Sequence, residues 1–155
     1  MRLWRLSSVR HAHDFTGGYG LLNNGRWNTV GRPVTYCATV PSLAALEKRV
    51  HVTHVGDLPP QAMVSYDVPD DLAVRTIEIT SLPADWTNRE THTQQFGNEW
   101  LDTGEEAVLI MPSVVMPIAD ALDRNALINH RRPDTARIRI ADVVAFILDP
   151  RLFRP

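Results

Sequence analysis

Short apolar segments of strand length alternate along this chain with segments of helical period, and that mixture constrains the fold more than any other feature. Alternating or continuous apolar residues predict strands over 3–6, 33–38, 64–68, 74–79, 107–111, 137–140 and 143–148. Helical periodicity predicts helices over 41–51, with Thr39 and Pro41 as start signals, over 91–101, and in a region that starts at 85. Because no repeat, linker or low-complexity tract divides residues 1–155, we expect a single α+β domain.

The composition narrows the class of protein. The chain has 16 Lys and Arg against 18 Asp and Glu, a formal charge of -2, whereas a sequence-specific DNA-binding protein is usually more basic. We therefore expect no direct contact with nucleic acid. Cys37 is the only cysteine, so an intrachain disulfide is excluded and a reducing compartment is the default. No apolar run that could serve as a signal peptide or membrane span follows Met1, which favours a cytoplasmic protein without membrane contact.

Glu47 is the strongest physical signal among the charged residues. Leu43, Leu46 and Val50 form the apolar stripe of the first predicted helix, and Glu47 falls beside Leu43 at a helical period. A buried carboxylate costs free energy unless it is paired or hydrogen-bonded, so an inward-facing glutamate needs a reason. The alternative is a glutamate at the edge of the stripe with its head in water.

Arg26 follows a stretch rich in glycine and asparagine, residues 16–25, which we expect to be a loop. Such a loop can approach a ligand closely, and the planar fork of an arginine matches two oxygens of a phosphate or pyrophosphate. Trp27 and Asn28 come next and complete the candidate binding segment. The alternative is a surface arginine or a structural ion pair.

Tyr36 and Ser113 are further candidates, each on a predicted strand or at its end. Tyr36 could stack on a flat ring and hydrogen-bond a ligand through its hydroxyl group, although a core tyrosine is the commoner outcome. Ser113 follows an apolar strand, after which 114–117 should continue extended. Since no histidine or lysine is positioned by sequence to activate Ser113, a hydrogen-bonding role is more natural than a nucleophilic one.

The histidines do not predict a metal site. His51 and His54 are three residues apart, and His11 lies two residues before His13, but neither pair has a third ligand at a recognised spacing. We therefore expect neither a metal nor a cofactor.

Several motifs occur in order along nearly the whole chain, and together they resemble the RES-domain family, which is named for an Arg, a Glu and a Ser. The matching segments are 3–6, 25–28, 31–38, 45–47 with 50–51, 97–101, 108–113, 125–129 and 149–153. The sequence departs from the family at Lys48-Arg49, where members are often apolar. It also departs at His130-Arg131-Arg132-Pro133, which replaces a commoner Asn-Pro-x-His-Pro run.

The resemblance implies a fold similar to ADP-ribosyltransferases, with small twisted sheets and flanking helices. It implies a toxin of a bacterial toxin–antitoxin pair that destroys NAD, with Arg26, Tyr36, Glu47 and Ser113 in the site. Its partner would be an antitoxin of the Xre type, with a helix-turn-helix domain, that blocks the pocket. NAD would be the substrate, inorganic phosphate is a candidate co-substrate, and a homodimer within the complex is compatible with these expectations.

These residue types suit cleavage of the nicotinamide–ribose bond. Most glycosidases use two carboxylates, one of which protonates a poor leaving group, but nicotinamide leaves NAD as a neutral molecule. One carboxylate, Glu47, is then enough to stabilise the oxocarbenium-like ribose, directly or through its 2′-hydroxyl group. Arg26 would bind the pyrophosphate or a phosphate acceptor, Tyr36 would orient nicotinamide or its ribose, and Ser113 would donate a hydrogen bond in the same pocket.

Two rival functions remain open from the sequence. In protein ADP-ribosylation the same bond breaks, but an amino-acid side chain attacks. In a non-catalytic interaction module, Arg26 and Glu47 would form a structural salt bridge. The choice between water and phosphate as acceptor is likewise open.

Overall fold

The computed structural model describes residues 1–153, without the side chain of Val55. Its strands are β1 (Arg2–Ser8), β2 (Val34–Ala38), β3 (Gln61–Asp67), β4 (Val74–Thr76), β5 (Val108–Pro112), β6 (Arg124–Asn129) and β7 (Arg139–Phe146). Its α-helices are α1 (Gly18–Leu22), α2 (Pro41–Val50) and α3 (Glu90–Thr103), with short 3-10 turns between the elements. In the described part of the chain, no helix is long and apolar enough to cross a membrane.

The strands form one mixed sheet of seven strands in the order β4-β5-β6-β2-β1-β3-β7. Every neighbouring pair is antiparallel except β4 and β5. Across the middle, β1 and β2 share a single register pair among the described residues, Trp4 opposite Ala38. The sheet therefore consists of two small halves that part beside Ala38, and the expected α+β architecture with small sheets and flanking helices is confirmed.

Two helices pack on the sheet, α2 and α3. Helix α2 packs on β1 and β2 where the halves part, through an apolar cluster that includes Leu6, Leu43 and Met63. The strands β4, β5, β6 and β2 form the half that we call the outer half-sheet. On this half, α3 and the segment around Trp27 enclose a second cluster that includes Leu109 and Leu127. Here α3 approaches the backbone of Trp27 so closely that a Cβ atom on Gly97 would overlap the Trp27 carbonyl oxygen.

The strand expected over 74–79 ends at Thr76, before a 3-10 turn at Ile79–Ser81, and two other strands differ more from the sequence-based expectation. Strand β6 was not predicted, because Arg124, Asn125 and Asn129 flank its short apolar run and obscure the alternation. The two strands expected over 137–140 and 143–148 are a single strand, β7. Its register against β3 shifts by one residue between Ser65 and Tyr66, so a bulge interrupts the period and makes one strand read as two.

Two smaller expectations about the loops and helix starts were also wrong. Part of the expected loop over 16–25 is helical, since α1 occupies Gly18–Leu22. Thr39 does not cap α2, because its hydroxyl group donates to the carbonyl oxygen of Leu122 at 2.6 Å and accepts the backbone N–H of Arg124 at 2.9 Å. The helix instead starts with Pro41 in its first turn, whose missing N–H needs no partner there.

A partly buried histidine makes the stability of the fold depend on pH. His130 Nε2 lies 2.8 Å from Thr35 Oγ1, and its ring packs edge-on against Phe15. Burial lowers the pKa of His130 from 6.5 to about 4, and the positive charge of Arg5 acts in the same direction. The folded protein therefore holds this imidazole neutral under conditions in which the unfolded chain protonates it.

We expect the free energy of unfolding to fall between pH 7 and pH 4, with His130 contributing roughly 2–3 kcal/mol of the loss. The sign follows from proton uptake. Below pH 6.5 the unfolded state binds a proton at His130, whereas the folded state binds that proton only near pH 4. Urea denaturation at several pH values measures this slope. His130→Gln should flatten it, whereas His51→Gln, at an exposed histidine, should not. Equal slopes for the wild type and His130→Gln would contradict the assignment.

Candidate active site

Two side chains on the outer half-sheet mark the position of the site. In the antiparallel pair of β2 and β6, Tyr36 lies opposite Leu127, and Ala38 lies opposite Asn125. Directly paired residues share a face of the sheet, as do alternate residues of one strand, so Tyr36 and Asn125 are diagonal neighbours on the same face. Tyr36 holds the segment that carries Arg26, and Asn125 holds Glu47. The two residues that hold these segments are therefore neighbours on one face of the sheet.

Glu47 is half-buried on α2, and its partners explain why it faces inward. Its Oε1 accepts a hydrogen bond from Ser113 Oγ at 2.7 Å and one from Asn125 Nδ2 at 2.6 Å. Both donors are neutral, so they orient the carboxylate without cancelling its charge. No described residue bonds the second oxygen, Oε2. The predicted stripe is shorter than expected, because Val50 is 55% exposed.

Ser113 has no exposed surface, and all of its hydrogen-bonding capacity is in use. Its Oγ accepts the backbone N–H groups of Val115 at 3.0 Å and Met116 at 3.3 Å. Because a hydroxyl group has two lone pairs and one proton, these bonds direct the proton to Glu47. The same bonds turn the chain after β5, so the extended course expected over 114–117 is wrong. In this structure Ser113 donates to Glu47 and has no exposed surface of its own for a ligand.

Arg26 is half-buried, and backbone carbonyl groups hold its guanidinium group. Nη2 donates to the carbonyl oxygens of Trp86 at 2.7 Å and Thr87 at 2.6 Å, and the guanidinium carbon lies 6.0 Å from the centre of the Trp86 ring. Nε is buried and has no partner in the described residues. Such an unpaired buried donor costs free energy.

The structural salt bridge considered for Arg26 and Glu47 is not formed. Among the ion pairs of the described residues, none joins these two side chains. Arg26 binds carbonyl groups, and Glu47 binds Ser113 and Asn125. The inward position of Glu47 therefore has another cause. The salt bridge expected for a non-catalytic interaction module was a wrong prediction.

Tyr36 is anchored at its hydroxyl group. This group accepts the backbone N–H of Trp27 at 3.0 Å and donates to Asn28 Oδ1 at 2.7 Å. Burial raises the pKa of Tyr36 well above its usual range, so the phenol stays neutral. The hydroxyl group is thus occupied within the protein, and what Tyr36 can offer a ligand is the part of its ring that remains exposed.

Trp27 and Asn28 support the segment that carries Arg26. Trp27 is 1% exposed and packs in the cluster beneath α3, while Asn28 is fully buried. Asn28 Nδ2 donates to the carbonyl oxygens of Asn23 and Thr29 at 3.2 and 3.1 Å. Both residues were candidates for substrate contact, but in this structure neither has the exposed surface that such a contact needs.

Asn125 is the site residue that sequence reasoning missed, although it lies in a segment that resembles the family. Its partner Glu47 is 78 residues away along the chain, and β6 was not among the predicted strands. The available signal was a polar amide directly before the apolar run of Ala126, Leu127 and Ile128. A polar side chain at the start of a buried strand needs a partner, and here that partner is a carboxylate.

Comparison with known proteins identifies relatives over nearly the whole chain. The family model described as RES domain matches residues 2–149. The protein named Toxin Res from Photorhabdus laumondii is 32% identical over 158 residues, which cover 99% of this chain and 98% of that protein. The protein named Prs ADP-ribosylating toxin from Sphingobium sp. is 31% identical over 158 residues, covering 97% of this chain and 96% of that protein.

A solved structure shares the fold. The M. tuberculosis MbcT–MbcA toxin–antitoxin complex contains a chain that superposes with a TM-score of 0.70 at 17% identity, covering 98% of this chain and 86% of that one. At this identity the likeness concerns the fold alone. The family match spans residues 2–149, nearly the whole chain, so the protein belongs to the RES-domain family.

Proposed function

We propose that this protein is the toxin of a toxin–antitoxin pair and that it cleaves the bond between nicotinamide and ribose in NAD. The observation that carries the proposal is the state of Glu47: one oxygen is held by two neutral donors, and the other has no partner in the described residues. Relatives named as toxins support the biological role. The relative named an ADP-ribosylating toxin supports NAD as the substrate, because ADP-ribosylation ordinarily draws its ADP-ribose from NAD.

The reaction requires a single negative charge near the ribose. Nicotinamide carries a positive charge in NAD and leaves as a neutral ring, so no acid has to protonate it. Positive charge then develops on the ribose, and an oriented carboxylate stabilises it. A salt bridge to arginine would weaken such a carboxylate, whereas the neutral donors Ser113 and Asn125 leave its charge available. Glu47 is therefore the catalytic residue in this proposal.

Arg26 and Tyr36 would bind the rest of the molecule. The guanidinium group is held from one side by the Trp86 and Thr87 carbonyl oxygens, which orients its remaining donors for the pyrophosphate of NAD. Tyr36, diagonal to Asn125 on the same face, would contact nicotinamide or its ribose. No metal or cofactor takes part in this scheme.

The fate of the ADP-ribose distinguishes the finer alternatives. Water as acceptor gives free ADP-ribose, inorganic phosphate gives its phosphate ester, and a protein side chain gives a labelled protein. The Sphingobium relative's name favours the last of these as a second candidate. Incubation with NAD labelled in its adenylate half, with and without phosphate and with cell extract, separates the three.

We expect the label in free ADP-ribose or its phosphate ester. Label retained on a protein after denaturing wash, with no free product, would replace this proposal by protein ADP-ribosylation. Glu47→Gln serves as the control in each reaction, because label attached without this carboxylate would be non-enzymatic.

The partner in this proposal is an antitoxin of the Xre type that binds over the site. The complex would form in the cytoplasm and would contain two copies of the toxin. Support comes from the structural neighbour, which is part of a toxin–antitoxin complex. Co-expression of the protein with the product of the adjacent reading frame should restore growth of the host. If growth arrest persists although the product of the adjacent reading frame is folded and bound to the toxin, that product is not the antitoxin.

A further inference from the structure

We infer that Asn125 is a positioning residue that fixes the direction in which the free carboxylate oxygen of Glu47 points, an inference that rests on the proposed function. Asn125 Nδ2 lies 2.6 Å from Glu47 Oε1, the same oxygen that Ser113 Oγ binds at 2.7 Å. Two donors on one oxygen leave Oε2 as the part of the carboxylate that is open to a ligand.

The direction of this bond follows from chemistry. A carboxylate only accepts hydrogen bonds, so the group that Asn125 turns toward it has to be the amide nitrogen and not the amide oxygen. The donor is neutral and shares the site with a second neutral donor, Ser113. Glu47 is therefore oriented by the pair while its full charge is retained.

Asn125 is a rigid donor because its strand is paired on both sides. It lies opposite Ala38 of β2 and Met111 of β5. The backbone N–H of Thr39 donates to the carbonyl oxygen of the adjacent Arg124 at 2.9 Å, and the backbone N–H of Arg124 donates to Thr39 Oγ1 at 2.9 Å. Since α2 begins two residues after Thr39, the start of β6 fixes both the helix that carries Glu47 and the amide that holds it.

Ser113 alone would leave Glu47 less well oriented. The terminal torsion of a glutamate has a broad distribution, so one hydrogen bond permits the carboxylate to turn about its own axis. A second donor from a different strand removes that freedom. Loss of the Asn125 bond should therefore lower kcat through misplacement of Oε2 and leave NAD binding, which depends on Arg26, nearly unchanged.

The two arginines on these elements have partners of their own. Arg124 on β6 is paired with Glu78, with Nη2 to Oε2 at 2.7 Å. Arg49 on α2 donates to the Leu152 carbonyl oxygen at 2.7 Å. On the sheet face, Tyr36 stays neutral because burial raises its pKa. A charge introduced at Asn125 should therefore act chiefly on Glu47.

Two substitutions test the inference. Asn125→Leu keeps the branching of the side chain and removes the donor, so we expect kcat for nicotinamide release to fall by about 10- to 100-fold, with KM changed less than about threefold. Asn125→Asp keeps the shape but presents an acceptor to a carboxylate, which should reduce kcat further at neutral pH. As the pH falls, the introduced carboxyl group takes up a proton and can donate again, so activity relative to wild type should recover.

Gln95→Glu is the matched control, because it makes the same amide-to-carboxylate change on the exposed face of α3. Its pH profile should follow that of the wild type. The inference is overturned if Asn125→Leu retains the wild-type kcat, or if Asn125→Asp and Gln95→Glu share one pH profile. A parallel rise in KM for Asn125→Leu would equally overturn it, since that would indicate a binding role.

A second measurement does not depend on activity. In ¹⁵N-labelled protein, the side-chain amide protons of Asn125 should exchange slowly with solvent, and Glu47→Ala should speed that exchange. If wild-type protein released no nicotinamide, the proposed function would fail, and this exchange measurement alone would decide whether Asn125 holds Glu47. Fast exchange in wild-type protein would show that the bond is absent and would overturn the inference.

Discussion

Replacement of Glu47 by glutamine should lower kcat for nicotinamide release from NAD by about 10²–10³-fold, because the charge that stabilises the developing oxocarbenium is removed. The amide oxygen of the new side chain can still accept the bonds from Ser113 Oγ and Asn125 Nδ2. KM should therefore stay within about threefold of wild type, and the free energy of unfolding within about 1 kcal/mol. Steady-state release of nicotinamide, measured by chromatography, gives both constants.

Glu99→Gln is the control for this experiment, because it neutralises an exposed glutamate on α3 and should leave kcat unchanged. Thermal melting of both variants verifies that the fold is intact. A Glu47→Gln protein that consumes NAD at the wild-type rate would exclude Glu47 as the catalytic group.

Gly97→Ala should destabilise the protein by at least about 2–3 kcal/mol, which corresponds to a fall in melting temperature of roughly 5–10 °C for a chain of this size. A Cβ atom at position 97 would overlap the carbonyl oxygen of Trp27 and come within 2.8 Å of its carbonyl carbon. Both partners are buried backbone, so α3 would have to move away from the segment that carries Arg26. The gain in helix propensity from alanine, about 1 kcal/mol, is too small to offset this overlap.

Gly56→Ala is the matched control, since a Cβ atom there would meet nothing within 4 Å and the backbone φ of Gly56 is not positive. It should change the free energy of unfolding by no more than about 0.5 kcal/mol. Equal melting temperatures for Gly97→Ala and Gly56→Ala would show that α3 and the Trp27 backbone are not in the close contact described. Activity of Gly97→Ala should fall as well, because Arg26 directly precedes Trp27.

The inward position of Glu47 could be predicted from the sequence, but its partners could not. Helical periodicity relates residues three or four apart, and it placed Glu47 beside Leu43 correctly. Ser113 and Asn125 lie 66 and 78 residues from Glu47 along the chain. Contacts at such separations depend on strand order and register, which local patterns do not specify. Ser113 was a candidate from its place after an apolar strand and from the resemblance, whereas Asn125 became visible only when β6 was paired with β2.

The roles of the residues near Arg26 were also hidden from the sequence. A loop rich in glycine and asparagine predicted an accessible segment, and Arg26 itself is half-buried with an unpaired Nε. Trp27 and Asn28 have the residue types of a binding loop, yet they are buried supports of that segment. The difference arises because α3 closes over the segment at Gly97, a tertiary contact that no local signal indicates.

The most direct measurement is the release of nicotinamide from NAD by purified protein free of any antitoxin. We predict many molecules of nicotinamide per molecule of protein, detected by chromatography or proton NMR, with release nearly abolished in Glu47→Gln. NAD that remains intact with folded wild-type protein, in the presence of phosphate, would contradict the proposed function.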